Sequence, residues 1–83
     1  MKHILYFYKN GCGPCDEIKP LIDTLSESNK IDRININERD TIADKLNIMY
    51  TPTLAIIDSE TKSMVKYEGS KKIKQVINEN LIQ

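Results

Sequence analysis

The stretch from Ile4 to Cys15, ILYFYKNGCGPC, constrains this chain more than any other. A short apolar run leads into a polar turn. The turn ends in the only two cysteines of the sequence, Cys12 and Cys15, with Gly13 and Pro14 between them. Residues 3–8 (HILYFY) carry β-branched and aromatic side chains with little polar interruption, which is the pattern of a buried strand. Lys9-Asn10-Gly11 is a turn signal. Beyond it, Ile18, Leu21, Ile22 and Leu25 recur at helical spacing and define one apolar face. Pro14 suits the first turn of that helix, where its missing N–H would have no partner. Pro20 falls inside the pattern. Because the apolar face continues past it, the expectation is a kink rather than a stop. Residues 26–30 are the exit.

The remaining chain alternates strand and helix patterns. Residues 31–36 (IDRINI) alternate imperfectly and predict a second strand. Residues 38–47 place Ile42, Ala43 and Leu46 on one helical face, with acidic residues early, as a helix N-terminus prefers. Residues 49–52 connect, and 53–58 (TLAIID) predict a third strand. A turn at 59–62 leads to 63–68 (SMVKYE), a half-exposed fourth strand. Gly69-Ser70 breaks it. Ser70 is a candidate cap for a last helix whose apolar face holds Ile73, Val76, Ile77 and Leu81. The order is β-α-β-α-β-β-α. The first strand–helix–strand unit implies a right-handed parallel crossover. The short link between strands three and four implies an antiparallel hairpin. The expected fold class is α/β, with one four-stranded mixed sheet, three helices and a single domain over 1–83.

Composition narrows the function classes. The formal net charge is zero, and there is no Trp and one Phe. Neither a phosphate-binding basic face nor a base-stacking surface is indicated, so no nucleic-acid partner is expected. The apolar segment after Met1-Lys2-His3 is too short for a signal-peptide core or a membrane span. The expectation is a cytoplasmic monomer with no membrane partner. In that compartment a close Cys pair points to catalysis or metal binding rather than to a structural staple.

Two cysteines three apart on a helix lie on one side, within reach of a disulfide. At the helix N-terminus, Cys12 faces unsatisfied backbone N–H groups and the positive end of the helix dipole. Both favour its thiolate. Asp16 and Glu17 in the same turn oppose that effect in part. Cys15, one turn inside, is expected to be more buried and less ionised. Cys12 is therefore the candidate nucleophile and Cys15 the resolving thiol. A structural disulfide would close too small a loop to stabilise much. Zinc needs four ligands, whereas the chain offers two cysteines and His3. No metal or bound cofactor is expected beyond the redox-active pair itself.

With Cys12-Gly13-Pro14-Cys15 and this element order, the sequence resembles the thioredoxin family. Pro20 matches the family's kink proline. Thr51-Pro52-Thr53 matches the segment whose cis-proline opens the third core strand and faces the cysteines, and Gly69 matches the glycine before the last helix. The resemblance implies a thioredoxin fold in a minimal form, without the extra amino-terminal strand and helix of full-length members. It implies that Cys12 and Cys15 are catalytic and that Gly13 and Pro14 form the active-site loop. It also implies that Thr51 and a cis Pro52 bind substrate by strand pairing. Gly11 stands where thioredoxins carry Trp, and Tyr6 stands where they carry a buried Asp thought to help deprotonate the resolving thiol.

The implied activity is protein-disulfide reduction, with recycling by a thioredoxin reductase-like flavoenzyme. Glutathione is the alternative donor, in a glutaredoxin-like carrier that serves, for example, ribonucleotide reductase. Lys9 resembles a glutaredoxin lysine that meets glutathione, but Gly69-Ser70-Lys71-Lys72 lacks the Gly-Gly and acidic pattern of that site. A binding subunit without turnover is the alternative from another class.

Overall fold

A computed structural model describes residues 2–38 and 40–79. Its elements are β1 (Lys2–Tyr8), α1 (Gly13–Ser26), β2 (Ile31–Asn35), α2 (Asp40–Lys45), β3 (Thr53–Asp58), β4 (Ser63–Glu68) and α3 (Ser70–Asn78). Their order is the expected one, and the architecture is the thioredoxin fold. The strands form one mixed sheet in the order β2-β1-β3-β4. Helix α1 carries the chain back across the sheet, so β2 runs parallel to β1, with Tyr6 opposite Arg33 and Tyr8 opposite Asn35. The 59–62 turn reverses the chain, so β3 and β4 are antiparallel. Strand β3 is also antiparallel to β1, and its first residue, Thr53, pairs with Phe7.

Alternation along β1 feeds two cores. Ile4 and Tyr6 face α1 and α3, where they pack with Ile18, Ile22, Leu54, Ile73 and Val76. Phe7 faces the other way and packs with Ile34, Ala43, Ile48 and Ala55. Helices thus cover both faces of the sheet, which is why β1 reads as a continuous apolar run. Fully burying an Ile or Leu side chain contributes about 1.5–3 kcal/mol. Ile18, Ile22, Leu54 and Ile73 are all fully buried. These contacts hold α1, and with it the cysteines, against the sheet. Among the described residues, no buried side-chain nitrogen or oxygen lacks a hydrogen-bond partner.

Several local expectations are corrected. Helix α2 is shorter than 38–47, ending at Lys45. Asn47 turns into the left-handed region (φ 60°), and the Ile48 N–H closes back on the Ala43 carbonyl at 2.8 Å. That closure satisfies an orphan carbonyl and seats Ile48 in the core. Ser70 does not cap α3. Gly69 occupies the cap position at φ 92°, a conformation that glycine adopts without steric cost. Ser70 is the first helical residue, and its hydroxyl reaches Glu17 on α1. Lys74 pairs with the same Glu17 and bridges α3 to α1. Helix α1 runs through Pro20 without stopping. Leu81 lies outside the described residues. No helix among those residues is long and apolar enough to cross a membrane.

Candidate active site

The site is built at the C-terminal end of β1. Between Tyr8 and α1 the chain turns through Asn10 and Gly11, with Gly11 at φ 71°. Three asparagine side chains lock this turn to the end of β2. Asn35 Nδ2 donates to Asn10 Oδ1 at 3.0 Å. The Asn10 and Asn37 backbone N–H groups donate to Asn37 Oδ1 and Asn35 Oδ1, each at 2.9 Å. Asn35 is buried, so this closed set satisfies amides that would otherwise be costly to leave unpaired. The result is a rigid approach to Cys12.

Cys12 is the N-cap of α1, in an extended conformation (φ −96°, ψ 106°), and Pro14 lies in the first helical turn. Cys12 and Cys15 are disulfide-bonded, with Cα atoms 5.2 Å apart. Each is 5% exposed, so burial alone does not separate them, contrary to the expectation that Cys15 would be the more buried. Their hydrogen bonds do differ. The Cys15 backbone N–H donates to Cys12 Sγ at 3.1 Å, as a capping interaction. The Thr51 hydroxyl donates to the same sulfur at 3.7 Å. Both donors favour a negative charge on Cys12, as does the helix N-terminus. Gly13 and Pro14, between the two cysteines, are exposed.

The second wall of the site is the segment before β3. The Thr51–Pro52 peptide bond is cis. Pro52 is buried, and its carbonyl accepts the Gly69 N–H at 2.8 Å, which ties the segment to the cap of α3. The Thr53 hydroxyl donates to the Tyr50 carbonyl at 2.6 Å. Thr51 is thereby held beside Cys12 although 39 positions separate them. Met49 and Tyr50 project outward next to it, 78% and 64% exposed, so Tyr50 is a surface residue and not a packing one.

A cleft of about 290 Å³ opens on the other side of the pair, lined by Tyr6, Tyr8, Cys15, Asp16, Lys19 and Arg33 with the 9–11 turn. The Tyr6 hydroxyl donates to the Cys15 carbonyl at 3.4 Å. The Tyr6 and Tyr8 rings stack at 5.7 Å. Burial pushes the Tyr6 phenol up to about 12, against an opposing pull from Arg33. Arg33 is held by Asp23 at 2.7 Å, and Lys19 lies 3.5 Å from the same carboxylate. These charges hold the Asp23 carboxyl below its ordinary range, chiefly through the Arg33 hydrogen bond. His3 is exposed on β1, away from the cysteines. Among the described residues, no three His, Cys, Asp or Glu side chains gather as a metal site requires.

Several contributors carried no sequence signal of their own. The Thr51 hydroxyl was legible only as part of a proline motif. The asparagine lock joins positions 25 and 27 apart, a separation no local period reports.

Comparison with known proteins places this arrangement. The family model described as Thioredoxin matches residues 1–81. The Bacillus subtilis thioredoxin is 28% identical over 81 residues, covering 90% of this chain and 78% of that protein. The Porphyra purpurea thioredoxin is 37% identical over 57 residues, covering 64% of this chain and 53% of that protein. The match thus spans only about half of the Porphyra protein's length. Among solved structures, a reduced Schistosoma mansoni thioredoxin superposes with TM-score 0.75 at 26% identity, covering 94% of this chain and 77% of that one. The Drosophila melanogaster thioredoxin Deadhead reaches TM-score 0.81 over 99% of this chain and 81% of that one; at 16% identity it speaks for the fold alone. With a matching family model over nearly all its length and a cysteine pair already joined at the head of α1, the chain belongs to the thioredoxin family of thiol–disulfide oxidoreductases.

Proposed function

We propose that residues 1–83 act as one domain that reduces protein disulfides, with Cys12 as nucleophile and Cys15 as resolving thiol. The observation that carries this reading is the asymmetry of the pair. Cys12 Sγ alone accepts hydrogen bonds from the Cys15 N–H and the Thr51 hydroxyl, at a helix N-terminus. Those donors stabilise the thiolate, which is the attacking species. The Cys12 thiolate attacks one sulfur of a substrate disulfide and forms a mixed disulfide. Cys15 then attacks Cys12 Sγ, and the second substrate sulfur leaves. The substrate gains two electrons and the cysteine pair loses two.

The Thr51–Pro52 segment, fixed beside Cys12 and flanked by exposed Met49 and Tyr50, is the surface on which a substrate chain pairs. Exposed Gly13 and Pro14 form the loop between the two thiols. A thioredoxin reductase-like flavoenzyme returns the electrons to a monomeric carrier in the cytoplasm.

Insulin reduction tests the reading. Activity is expected with NADPH and thioredoxin reductase, and it should be lost in Cys12→Ser. The Cys15→Ser protein should trap mixed disulfides through Cys12. Inactivity with that system, with glutathione plus glutathione reductase, and with dithiothreitol would sink it. Activity with glutathione alone would reassign the electron donor.

A further inference from the structure

We infer that Asp16 keeps the cysteine pair a reductant: its carboxylate offsets the cations that would otherwise stabilise the Cys12 thiolate and tip the pair towards an oxidant. The inference deepens the dithiol reading above and rests on it. Asp16 is a positioning residue in this account, because it acts through Cys12. Three features of the structure carry it. The Asp16 N–H donates to the Cys12 carbonyl at 3.2 Å, so Asp16 stands one helical turn beyond Cys12 and next to Cys15. It lines the same cleft as Cys15. Among the described residues its carboxylate has neither an ion-pair partner nor a side-chain hydrogen bond, so no single cation holds its charge.

The first turn of α1 carries two acids, and the structure gives them different surroundings. Glu17 is bonded to Lys74 and Ser70 of α3, so the Glu17–Lys74 pair presents little net charge to the sulfurs. Asp16 faces the cleft instead. Its charge is felt at the Tyr6 phenol, whose hydroxyl meets the Cys15 carbonyl. The other charged or titratable groups on this cleft are Tyr6 and Tyr8 of β1, Lys9 of the turn, Lys19 of α1 and Arg33 of β2. Three of those are cations, and Asp16 is the one acid among the lining residues. Asp23 engages Lys19 and Arg33 from outside the lining and tempers both. The cations and the helix N-terminus all favour a negative sulfur, and Asp16 opposes them.

In the reaction affected, the reduced pair holds Cys12 as thiolate and Cys15 as thiol. It gives two electrons to a substrate disulfide. The substrate S–S bond breaks, the Cys12–Cys15 bond forms, and the Cys15 proton passes through solvent to the departing sulfurs. On the protein, the thiolate exists only on the reduced side of this balance. A group that stabilises it favours the dithiol and makes the pair a weaker reductant. Asp16 has the opposite sign. It repels the thiolate, favours the disulfide and strengthens the drive to reduce.

Equilibration in reduced and oxidised glutathione buffers, with the dithiol and disulfide forms counted after acid quench and alkylation, reads the balance directly. Asp16→Asn should shift the equilibrium about threefold towards the dithiol, which corresponds to about 14 mV. Asp16→Lys should shift it about tenfold, or about 30 mV, in the same direction. Asp16→Glu restores the charge and should lie near wild type. Because Asp16 is exposed, about 1 M salt should at least halve the Asp16→Asn shift. The double variant Glu17→Gln/Lys74→Gln removes a balanced pair and should leave the equilibrium unchanged. An Asp16→Asn protein that matches wild type, or moves towards the disulfide, overturns the proposal. So does a shift that salt leaves intact or that Asp16→Glu reproduces, since either would point to packing rather than charge. A double variant that moves as far as Asp16→Asn would remove the assignment to Asp16. Iodoacetamide alkylation in a Cys15→Ser background gives a second readout: Asp16→Asn should lower the Cys12 midpoint, and a rise counts against the inference. The underlying dithiol reading fails separately, if wild type does not interconvert between dithiol and disulfide in these buffers.

Discussion

Replacing Thr51 by valine removes one hydroxyl from the sulfur of Cys12 and keeps the side-chain shape. The structure sets the size of the effect. The Thr51 hydroxyl is 3.7 Å from Sγ, at a half-buried position, while the Cys15 N–H at 3.1 Å is untouched. A hydrogen bond to a charged group contributes about 1.5–3 kcal/mol. Length and partial solvation bring this one to about 1 kcal/mol, which corresponds to a rise of about 0.7 unit in the Cys12 pKa. The sign follows from the donor: it favours the charged form, so its loss raises the pKa. At neutral pH the thiolate fraction then falls by up to about fivefold. A more basic thiolate is also a better nucleophile, which returns about a factor of two. The net slowing of the first attack is therefore about two- to threefold. The assay is iodoacetamide alkylation against pH in a Cys15→Ser background, where only Cys12 reacts. A midpoint unmoved within about 0.2 unit, or displaced downward, would refute the argument that Thr51 bonds the thiolate.

Three further outcomes are expected. Ile22→Ala empties a fully buried site between α1 and the sheet and should cost about 3 kcal/mol. For 83 residues the unfolding entropy is about 0.17 kcal/mol/K, so Tm should fall by about 17 °C; a fall below about 5 °C would mean that α1 is not packed as described. The Tyr6 phenol is raised by burial, so its contribution to stability is fully present below the ordinary tyrosine range and is lost as pH rises through about 12. Urea midpoints should show an alkaline loss that Tyr6→Phe lacks, and identical slopes in the two proteins would contradict this. Glu17 is held low chiefly by its Lys74 hydrogen bond, and Asp23 chiefly by its Arg33 hydrogen bond. Their contributions are present above the ordinary carboxylate range and vanish as pH falls through the lowered folded values. Both pairs are at the surface, so Glu17→Gln and Asp23→Asn should flatten the acid limb only slightly, and less still in high salt. A steeper acid limb in either variant would reverse the assigned sign.

Element boundaries were most legible where the chain itself punctuates them. Strands β3 and β4 occupy the predicted residues because Pro52 stops one side, the 59–62 turn divides them, and Gly69 ends the other. Helix α1 starts at Gly13 because Pro14 and the spacing of Ile18, Leu21, Ile22 and Leu25 agree. Legibility failed where two local choices were close in energy. The apolar face at 38–47 fits a longer helix, but a left-handed Asn47 lets Ile48 turn back into the core. At the start of α3, Ser70 is the better cap by propensity. The Gly69 N–H instead goes to Pro52, which leaves the cap position to glycine.

The sequence by itself determined the order of the elements, the placement of both cysteines at the head of a helix, and the class of chemistry such a pair performs. Those follow from near-neighbour sterics, from hydrophobic period and from a three-residue spacing, all of which are written locally. Only the tertiary structure decided which groups the sulfurs meet. It brought Thr51 to Cys12, set Tyr6 and Arg33 across from each other beneath Cys15, and locked the approaching turn through Asn35. It also left the two cysteines equally buried, so that hydrogen bonding and not exposure distinguishes them. These contacts depend on how α1, the sheet and the Pro52 segment close on one another, and a donor 39 residues away has no local pattern to announce it.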